Sequence, residues 1–301
     1  MSPDSQSQAG TSHWQPALDE LALTRDHLYG PESFRDYLTG HGYDPLKFRT
    51  ASEISIDSKR DLGDTLRDNQ TMVLRGGAAP EGTGTQFALV QIEDGLDDFF
   101  INEHYYSSEI TDSLNLKPGS VDNRALSRQA RDMLLAFDML PTYSESSFVH
   151  LAMSTGVLSR ALRLDVGSIG TAPVTISSAF DFGFLPHSAV GQQISHNRGQ
   201  VEVDSCFVSR RDGQRVVVVL EAKKGRPRAL AKHKLFYPLM GLRSNAPPGV
   251  DEFIPVYLRA EAKNEGIEYD IYECDPVSVE GEPPALADIG VRNHGRSRVE
   301  L

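Results

Sequence analysis

The feature that most constrains this 301-residue chain is the stretch from residue 200 to residue 223, which predicts a β-hairpin. Its first strand, Gln200 to Val208, alternates apolar and polar residues, as expected of a strand with two different faces. Its second strand, Val216 to Lys223, opens with an apolar run that is typical of a strand covered on both faces. Asp212-Gly213 stands between them and favours a type I′ turn, because both central positions of that turn need a positive φ.

The turn determines which residues of the two strands face each other. Counting outward from Asp212-Gly213 places Asp204 opposite Glu221 and Glu202 opposite Lys223. Asp204 and Glu221 form a non-hydrogen-bonded pair, whose side chains approach more closely than those of a hydrogen-bonded pair. Two opposed carboxylates repel each other unless a cation lies between them, and Mg²⁺ prefers oxygen ligands. Unless a β-bulge shifts the register, the hairpin therefore predicts a metal site at Asp204 and Glu221, with Lys223 on the same face.

An Asp on one strand, followed by an acid-x-Lys triplet at the end of the next, is the signature of the PD-(D/E)XK nucleases. The segment with Asp204, sixteen intervening residues and Glu221-Ala222-Lys223 resembles that superfamily. Val203 stands where the name of the motif has Pro, a position that varies widely in the superfamily. The stretch Lys232 to Pro238 resembles the Q-L-Y-Y-P helix that follows the active strands in type II restriction-endonuclease-like proteins, with Lys234 where Gln is usual.

The resemblance covers about residues 145 to 273 and implies both a fold and a site. The fold is α/β (α+β), a restriction-endonuclease-like mixed sheet flanked by helices. The implied metal ligands are Asp204 and Glu221, and Lys223 is the implied catalytic lysine. Glu145 matches a further catalytic acid on the helix before the first active strand. The plainer explanation of Glu145 is that the helix dipole favours an acid in the first turn.

The charge distribution singles out the same part of the chain. The net charge is −12, yet residues 198–234 hold ten Lys and Arg against four Asp and Glu, and the rest of the chain is strongly acidic. A local basic patch on an acidic body suits an enzyme that holds phosphates at one place. Lys224, Arg226 and Lys234 are the predicted contacts to DNA phosphates. Glu202 is either a partner that holds Lys223 in place or an exposed strand acid.

Composition excludes several classes of protein. The two cysteines provide neither a disulfide framework nor a zinc site, and the nine histidines show no metal-binding spacing. The first residues lack the basic start and apolar segment of a signal peptide, and no apolar run approaches the length of a membrane span. These features predict a cytoplasmic protein with no membrane partner.

The chain divides into four predicted parts. Residues 1–14 are predicted to be a disordered tail, and residues 15–120 an N-terminal α/β region that could read DNA. Residues 121–285 are predicted to form the nuclease-like domain, and residues 286–301 a C-terminal tail. The turn-forming segment Lys117 to Ser120 marks the predicted boundary.

The resulting hypothesis is a metal-dependent endodeoxyribonuclease of the restriction or defence type, with Mg²⁺ as cofactor and Mn²⁺ able to substitute. One alternative is a DNA repair or processing nuclease, which would use the same residues. Another is a non-catalytic DNA-binding protein that keeps the nuclease fold. A third interpretation needs no metal, because the acids and lysines of the hairpin could balance one another in solvent. A homodimer and a cognate methyltransferase are left open as partners.

Overall fold

The fold is taken from a computed structural model, which describes residues 12–24, 27–80, 83–165, 174–264 and 266–301. None of the helices in these ranges is both long enough and apolar enough to cross a membrane.

The helices are short and are distributed along the whole chain. They are α1 (Gln15–Leu23), α2 (Phe34–Gly40), α3 (Thr50–Ile54), α4 (Asp64–Asp68), α5 (Val121–Ala125), α6 (Arg128–Asp138), α7 (Glu145–Ser154), α8 (Val157–Ala161) and α9 (His233–Arg243).

The strands form one large mixed sheet and a small two-stranded one. They are β1 (Leu28–Ser33), β2 (Thr71–Ala78), β3 (Thr85–Gln91), β4 (Phe100–Asn102), β5 (Asp112–Asn115), β6 (Val174–Phe184), β7 (Ile194–Arg211), β8 (Gln214–Lys224), β9 (Ala229–Ala231), β10 (Glu252–Lys263), β11 (Gly266–Cys274), β12 (Val277–Ser278) and β13 (Val291–Glu300). The large sheet runs β1-β3-β2-β7-β8-β10-β11-β13-β5, with β6 on β7 and β12 on β10, while β4 pairs with β9. Most neighbours are antiparallel, but β8 and β10 run parallel. A mixed sheet flanked by helices confirms the predicted fold class.

The predicted hairpin is β7 and β8. Asp212 and Gly213 both have a positive φ, and the first pair beside them is Arg211–Gln214, so the predicted turn is confirmed. The apolar run of β8 is covered on both faces as predicted. Alternate residues such as Val218 pack into the core under α7, and the intervening residues such as Val219 pack into the core that includes α9.

The N-terminal strands join the central sheet through a glycine. Gly77 of β2 pairs with Asn197 of β7 in parallel. Its φ is +83°, and a Cβ at Gly77 would lie 2.4 Å from the main-chain oxygen of Asn197. Since every other residue carries a Cβ, glycine lets the two backbones approach this closely. Strands from both sides of the predicted boundary at Lys117 to Ser120 therefore share one sheet, and the division into separate parts stays a prediction.

Parts of both predicted tails belong to the folded structure. Residues 1–11 of the N-terminal tail lie outside the described residues, whereas Trp14 is described and is buried. The prediction of a tail over residues 286–301 is wrong, because Val291–Glu300 forms β13 between β11 and β5. The strand was not predicted because its residues are mostly polar. One of its faces packs through ion pairs, such as that of Arg296 with Glu268, instead of through apolar burial.

The helix after the hairpin begins later than its proline suggests. Pro227 would suit a first helical position. However, residues 229–231 form β9 against β4, and α9 begins at His233. Pro238 lies inside α9, which continues to Arg243.

Candidate active site

The two hairpin strands separate at the predicted acids. β7 and β8 pair in the predicted register as far as Ser205–Leu220. Beyond that pair, β8 continues along β10, where Glu221 lies beside Tyr257. A space therefore opens next to β8 at the position that follows its apolar run.

Asp204 bridges this separation. Its Oδ2 atom accepts a hydrogen bond from the N–H of Ala222 at 2.9 Å. In an uninterrupted ladder that N–H would bond to the carbonyl oxygen of Val203, so the carboxylate replaces a main-chain acceptor. The side chain of Asp204 is thereby held beside β8, next to Glu221.

A bulge in β7 coincides with Asp204. The pairing of β6 with β7 shifts register between Val203 and Cys206, which inserts an extra residue into β7. Unbroken alternation would place Val203 and Phe207 on the same face. Instead, Val203 packs in the core that includes α9 and Phe207 packs in the core under α7, so the prediction of unbroken alternation is wrong.

Glu221 and Lys223 form a buried ion pair. Lys223 Nζ lies 2.6 Å from Glu221 Oε1, and the two side chains are 13% and 6% exposed. The pKa of Glu221 is raised to about 7, mainly by burial and in part by the nearby charge of Asp204, while Lys223 opposes the change. Burial acts to lower the pKa of Lys223, but the charge and hydrogen bond of Glu221 together with the charges of the other nearby acids outweigh it, so the net direction is upward. Lys223 is therefore a cation at neutral pH, beside a carboxyl group that titrates near neutrality.

Asp204, Glu221 and Lys223 line one cavity of about 270 Å³, as the predicted site requires. The other residues that line it are Ser55, Arg75, His196, Gln200, Val201, Glu202, His233, Lys234, Tyr237 and Pro238. The acids stand on β7 and β8, while the basic groups come from β8 as well as from β2 and α9. The cavity is thus polar and carries both signs of charge.

Glu145 is the first residue of α7 and is half-buried behind its N-cap, Ser144. Its charge is among those that raise the pKa of Lys223, after the larger effects of burial, Glu221 and Asp204. Glu145 is not among the residues that line the cavity. A catalytic role for Glu145 stays a prediction.

The predicted phosphate contacts lie in two different places. Lys234 lines the cavity, and its Nζ lies 2.9 Å from Asp57 Oδ1. Lys224 and Arg226 are exposed and lie outside the cavity lining. Strand alternation turns Lys224 away from the face of Lys223, so these two side chains could reach only a substrate that extends beyond the cavity.

Glu202 is exposed and lines the cavity. The ion pair of Lys223 is with Glu221, not with Glu202. Between the two predicted roles for Glu202, this geometry favours an exposed strand acid.

Several cavity residues were not predicted from the sequence. Ser55 and Arg75 come from the N-terminal region, more than a hundred residues before the hairpin, and no local pattern marks them. His196 has no metal-binding spacing to mark it in the sequence, yet it is 1% exposed and stacks on Phe182. His233 is the exception, because it stands directly before Lys234 in the stretch already singled out.

His233 provides a test of the buried wall of the cavity. It is 8% exposed, and burial lowers its pKa to about 3 from an ordinary 6.5. A base whose pKa is lower in the folded protein stabilises the fold fully above its unfolded pKa, and this contribution is lost as the pH falls from 6.5 toward 3. We expect acidification to destabilise the wild type more than His233→Gln, whose side chain does not titrate.

The measurement is the free energy of unfolding in urea at about pH 7.5 and about pH 4.5. The matched control is His150→Gln, which removes an exposed histidine of α7 and should lose as much stability as the wild type. Equal losses in the wild type and His233→Gln would show that His233 is not held in its neutral form.

The donor set suits a hard cation bound in part by solvent. Across the described ranges, no group of three or more His, Cys, Asp or Glu side chains is arranged to hold a metal ion. Asp204 and Glu221 supply two carboxylates on one cavity. Mg²⁺ is commonly bound by one or two carboxylates, with water and substrate phosphate completing its octahedron. The two side chains therefore fit Mg²⁺ better than zinc, which needs a fuller set of protein ligands.

Comparison with protein-family models gives one match. Residues 117–275 match a family described as a domain of unknown function (DUF6997). The chain belongs to this family. A search of curated proteins found no match.

The extent of the DUF6997 match bears on the site. The matched segment contains the predicted residues from Glu145 to Lys234, including Asp204 and both members of the Glu221–Lys223 pair. Asp57 and Arg75 lie outside it. The cavity is thus built from the DUF6997 segment together with the preceding part of the chain.

Proposed function

We propose that this protein is a Mg²⁺-dependent endonuclease that hydrolyses phosphodiester bonds in DNA, of the restriction or defence type. One observation carries the proposal: Asp204, Glu221 and Lys223 line a single cavity, although sixteen residues separate Asp204 from Glu221. The resemblance to the PD-(D/E)XK nucleases requires this grouping.

In the proposed reaction, Asp204 and Glu221 bind the metal ion through their carboxylate oxygens. When bound, Mg²⁺ polarises a phosphate group and lowers the pKa of a water molecule. The N–H of Ala222 orients Asp204, which lowers the entropy cost of metal binding at that carboxylate. Burial makes deprotonated Glu221 costly in the absence of a cation, and this cost favours cation binding at neutral pH.

Lys223 is the proposed positioning and charge-stabilising group. Its ammonium group is held next to Glu221 and stays protonated. A protonated lysine at this position can donate a hydrogen bond to the attacking water and can stabilise negative charge that accumulates on the phosphate. Hydrolysis then adds the water oxygen to phosphorus, while the P–O bond on the opposite side breaks.

Lys234 is the proposed contact to a substrate phosphate inside the cavity. Its present partner is Asp57, whose side chain is 49% exposed. Ion pairs of this exposure contribute about 0–1 kcal/mol, so a phosphate can replace Asp57 at little cost. The basic character of residues 198–234 supports DNA as the polyanion that approaches this face.

Nicking of supercoiled plasmid tests the proposal. We expect conversion to open-circular or linear DNA with Mg²⁺ or Mn²⁺ and none with EDTA, because both carboxylates need a metal ion to act. Sequencing the product ends would distinguish cleavage at a defined site from non-specific processing. DNA binding without cleavage in any metal would favour a non-catalytic DNA-binding protein and would overturn the proposal.

A further inference from the structure

Arg75 adds a cation to the lining of the cavity that holds the acids. It lies on β2 just before the register shift at Gly77, and it is half-buried. Its main-chain oxygen accepts a hydrogen bond from the hydroxyl of Tyr237 at 2.9 Å, which ties β2 to α9. Its side chain lines the same cavity as Asp204 and Glu221.

Arg75 differs from the other cations of the cavity in having no acidic partner. Lys223 is paired with Glu221 at 2.6 Å, and Lys234 is paired with Asp57 at 2.9 Å. Within the described part of the chain, the guanidinium group of Arg75 forms neither an ion pair nor a side-chain hydrogen bond. Among the described residues, the buried polar atoms without a partner do not include those of the Arg75 guanidinium, so its N–H donors are open to solvent and can bind an anion from outside the chain.

A buried, unpaired nitrogen lies on the same wall. His233 lines the cavity, and its Nδ1 atom is buried with no hydrogen-bond partner among the described residues. His233 and His196 both feel the positive charge of Arg75, which places the guanidinium close to the two rings. The wall of the cavity therefore holds a cation without an acidic partner, close to a buried polar atom without a hydrogen-bond partner.

We propose that Arg75 binds a backbone phosphate of the nucleic-acid strand, next to the phosphate that Asp204, Glu221 and Lys223 act on. The proposal rests on the proposed function and deepens it, since it assigns a substrate contact to the N-terminal part of the chain. Arginine suits this role because its planar fork binds phosphate oxygens through two parallel hydrogen bonds.

The salt dependence of DNA binding tests this contact without relying on cleavage. A fluorescent DNA duplex of about 20 base pairs is titrated with protein in EDTA at several NaCl concentrations, and binding is followed by fluorescence anisotropy. Loss of one phosphate contact reduces the slope of log K against log salt by about 0.9. We expect Arg75→Gln to show this reduction and Arg75→Lys to keep most of the wild-type slope, because lysine retains the charge.

The matched control is Arg35→Gln, which removes an exposed arginine of α2 and should leave the slope unchanged. Thermal unfolding of Arg75→Gln should match the wild type, since Arg75 has no partner to lose. An unchanged slope in Arg75→Gln would overturn the proposal, as would a wild-type protein that binds no DNA in EDTA.

The two proposals fail in different ways. If the wild type cleaves plasmid with Mg²⁺, but Arg75→Gln keeps the wild-type slope of log K against log salt, only the proposed phosphate contact of Arg75 is refuted. If the wild type never cleaves DNA, but Arg75→Gln reduces the slope of log K against log salt, only the proposed nuclease activity is refuted.

Discussion

Asp204→Asn should lower the rate of Mg²⁺-dependent DNA cleavage by about 100-fold or more. The substitution removes one of two carboxylates that would bind the metal ion, and metal-ion catalysis contributes several kcal/mol to such a reaction. Asparagine keeps a side-chain oxygen that can accept the hydrogen bond from the N–H of Ala222, so the join between β7 and β8 should remain intact. The measurement is the initial rate of plasmid nicking at saturating Mg²⁺.

Glu202→Gln is the matched control for this experiment. Glu202 lies on the same strand and lines the same cavity, but it is exposed and is not the ion-pair partner of Lys223. We expect its cleavage rate to stay close to that of the wild type. Circular dichroism and thermal unfolding would establish that both variants are folded. Full activity in folded Asp204→Asn would remove Asp204 from the site and with it the proposed mechanism.

Arg259→Met should lower the free energy of unfolding by about 3–5 kcal/mol, the range found when one partner of a buried ion pair is removed. Arg259 is 4% exposed and forms ion pairs with Glu103, at 2.6 Å through Nε, and with Asp270. Both carboxylates are buried as well, so the substitution leaves two charges in the interior without their common partner. The hydroxyl of Tyr257, which donates to Glu103 at 2.6 Å, compensates for only part of this loss.

The comparison is with Lys263→Met on the same strand. Lys263 pairs with Glu261 at 2.6 Å, but its side chain is 43% exposed. An exposed pair of this kind contributes about 0–1 kcal/mol. The free energy of unfolding of the two variants, measured in urea under the same conditions, distinguishes a buried ion pair from an exposed one. A similar small loss in both would mean that water reaches the Arg259 cluster and that it does not hold β10 and β11 together.

Arg259 also links this cluster to the candidate site. Its Nη1 atom donates a hydrogen bond of 2.9 Å to the main-chain oxygen of Gly225, the residue that directly follows β8. The strand that carries Glu221 and Lys223 is therefore tied to β10 both by its ladder and by this side chain. Partial loss of the Arg259 cluster should impair the site before the fold is lost.

Much of the fold and part of the site were predictable from short segments. The Asp212-Gly213 turn and its register depend on the φ preferences of two residues, and the structure keeps that register as far as Ser205. The apolar run of β8 predicts a strand covered on both faces, and the structure covers it on both faces. The grouping of Asp204 with Glu221 and Lys223 follows from that register together with the period of a strand.

Other features were not predictable, because they depend on contacts between distant segments. β13 has few apolar residues, and it is held between β11 and β5 by pairing and by ion pairs such as Arg296–Glu268. The bulge at Asp204 depends on how β6 pairs with β7, and no residue type in β7 predicts it. Arg75 reaches the cavity only because β2 joins β7 at Gly77.

The amino-acid sequence by itself determined the hairpin and the presence of two acids and a lysine at its open end. Both features depend on local preferences that act over a few residues: the φ angles that the turn residues adopt and the alternation of side chains along a strand. Only the tertiary structure decided that the strands separate beyond Ser205, that Asp204 bonds to the Ala222 N–H, and that Arg75 lines the same cavity as the acids. These depend on which distant strands and helices pack together, and many sequences with the same local pattern could pack differently.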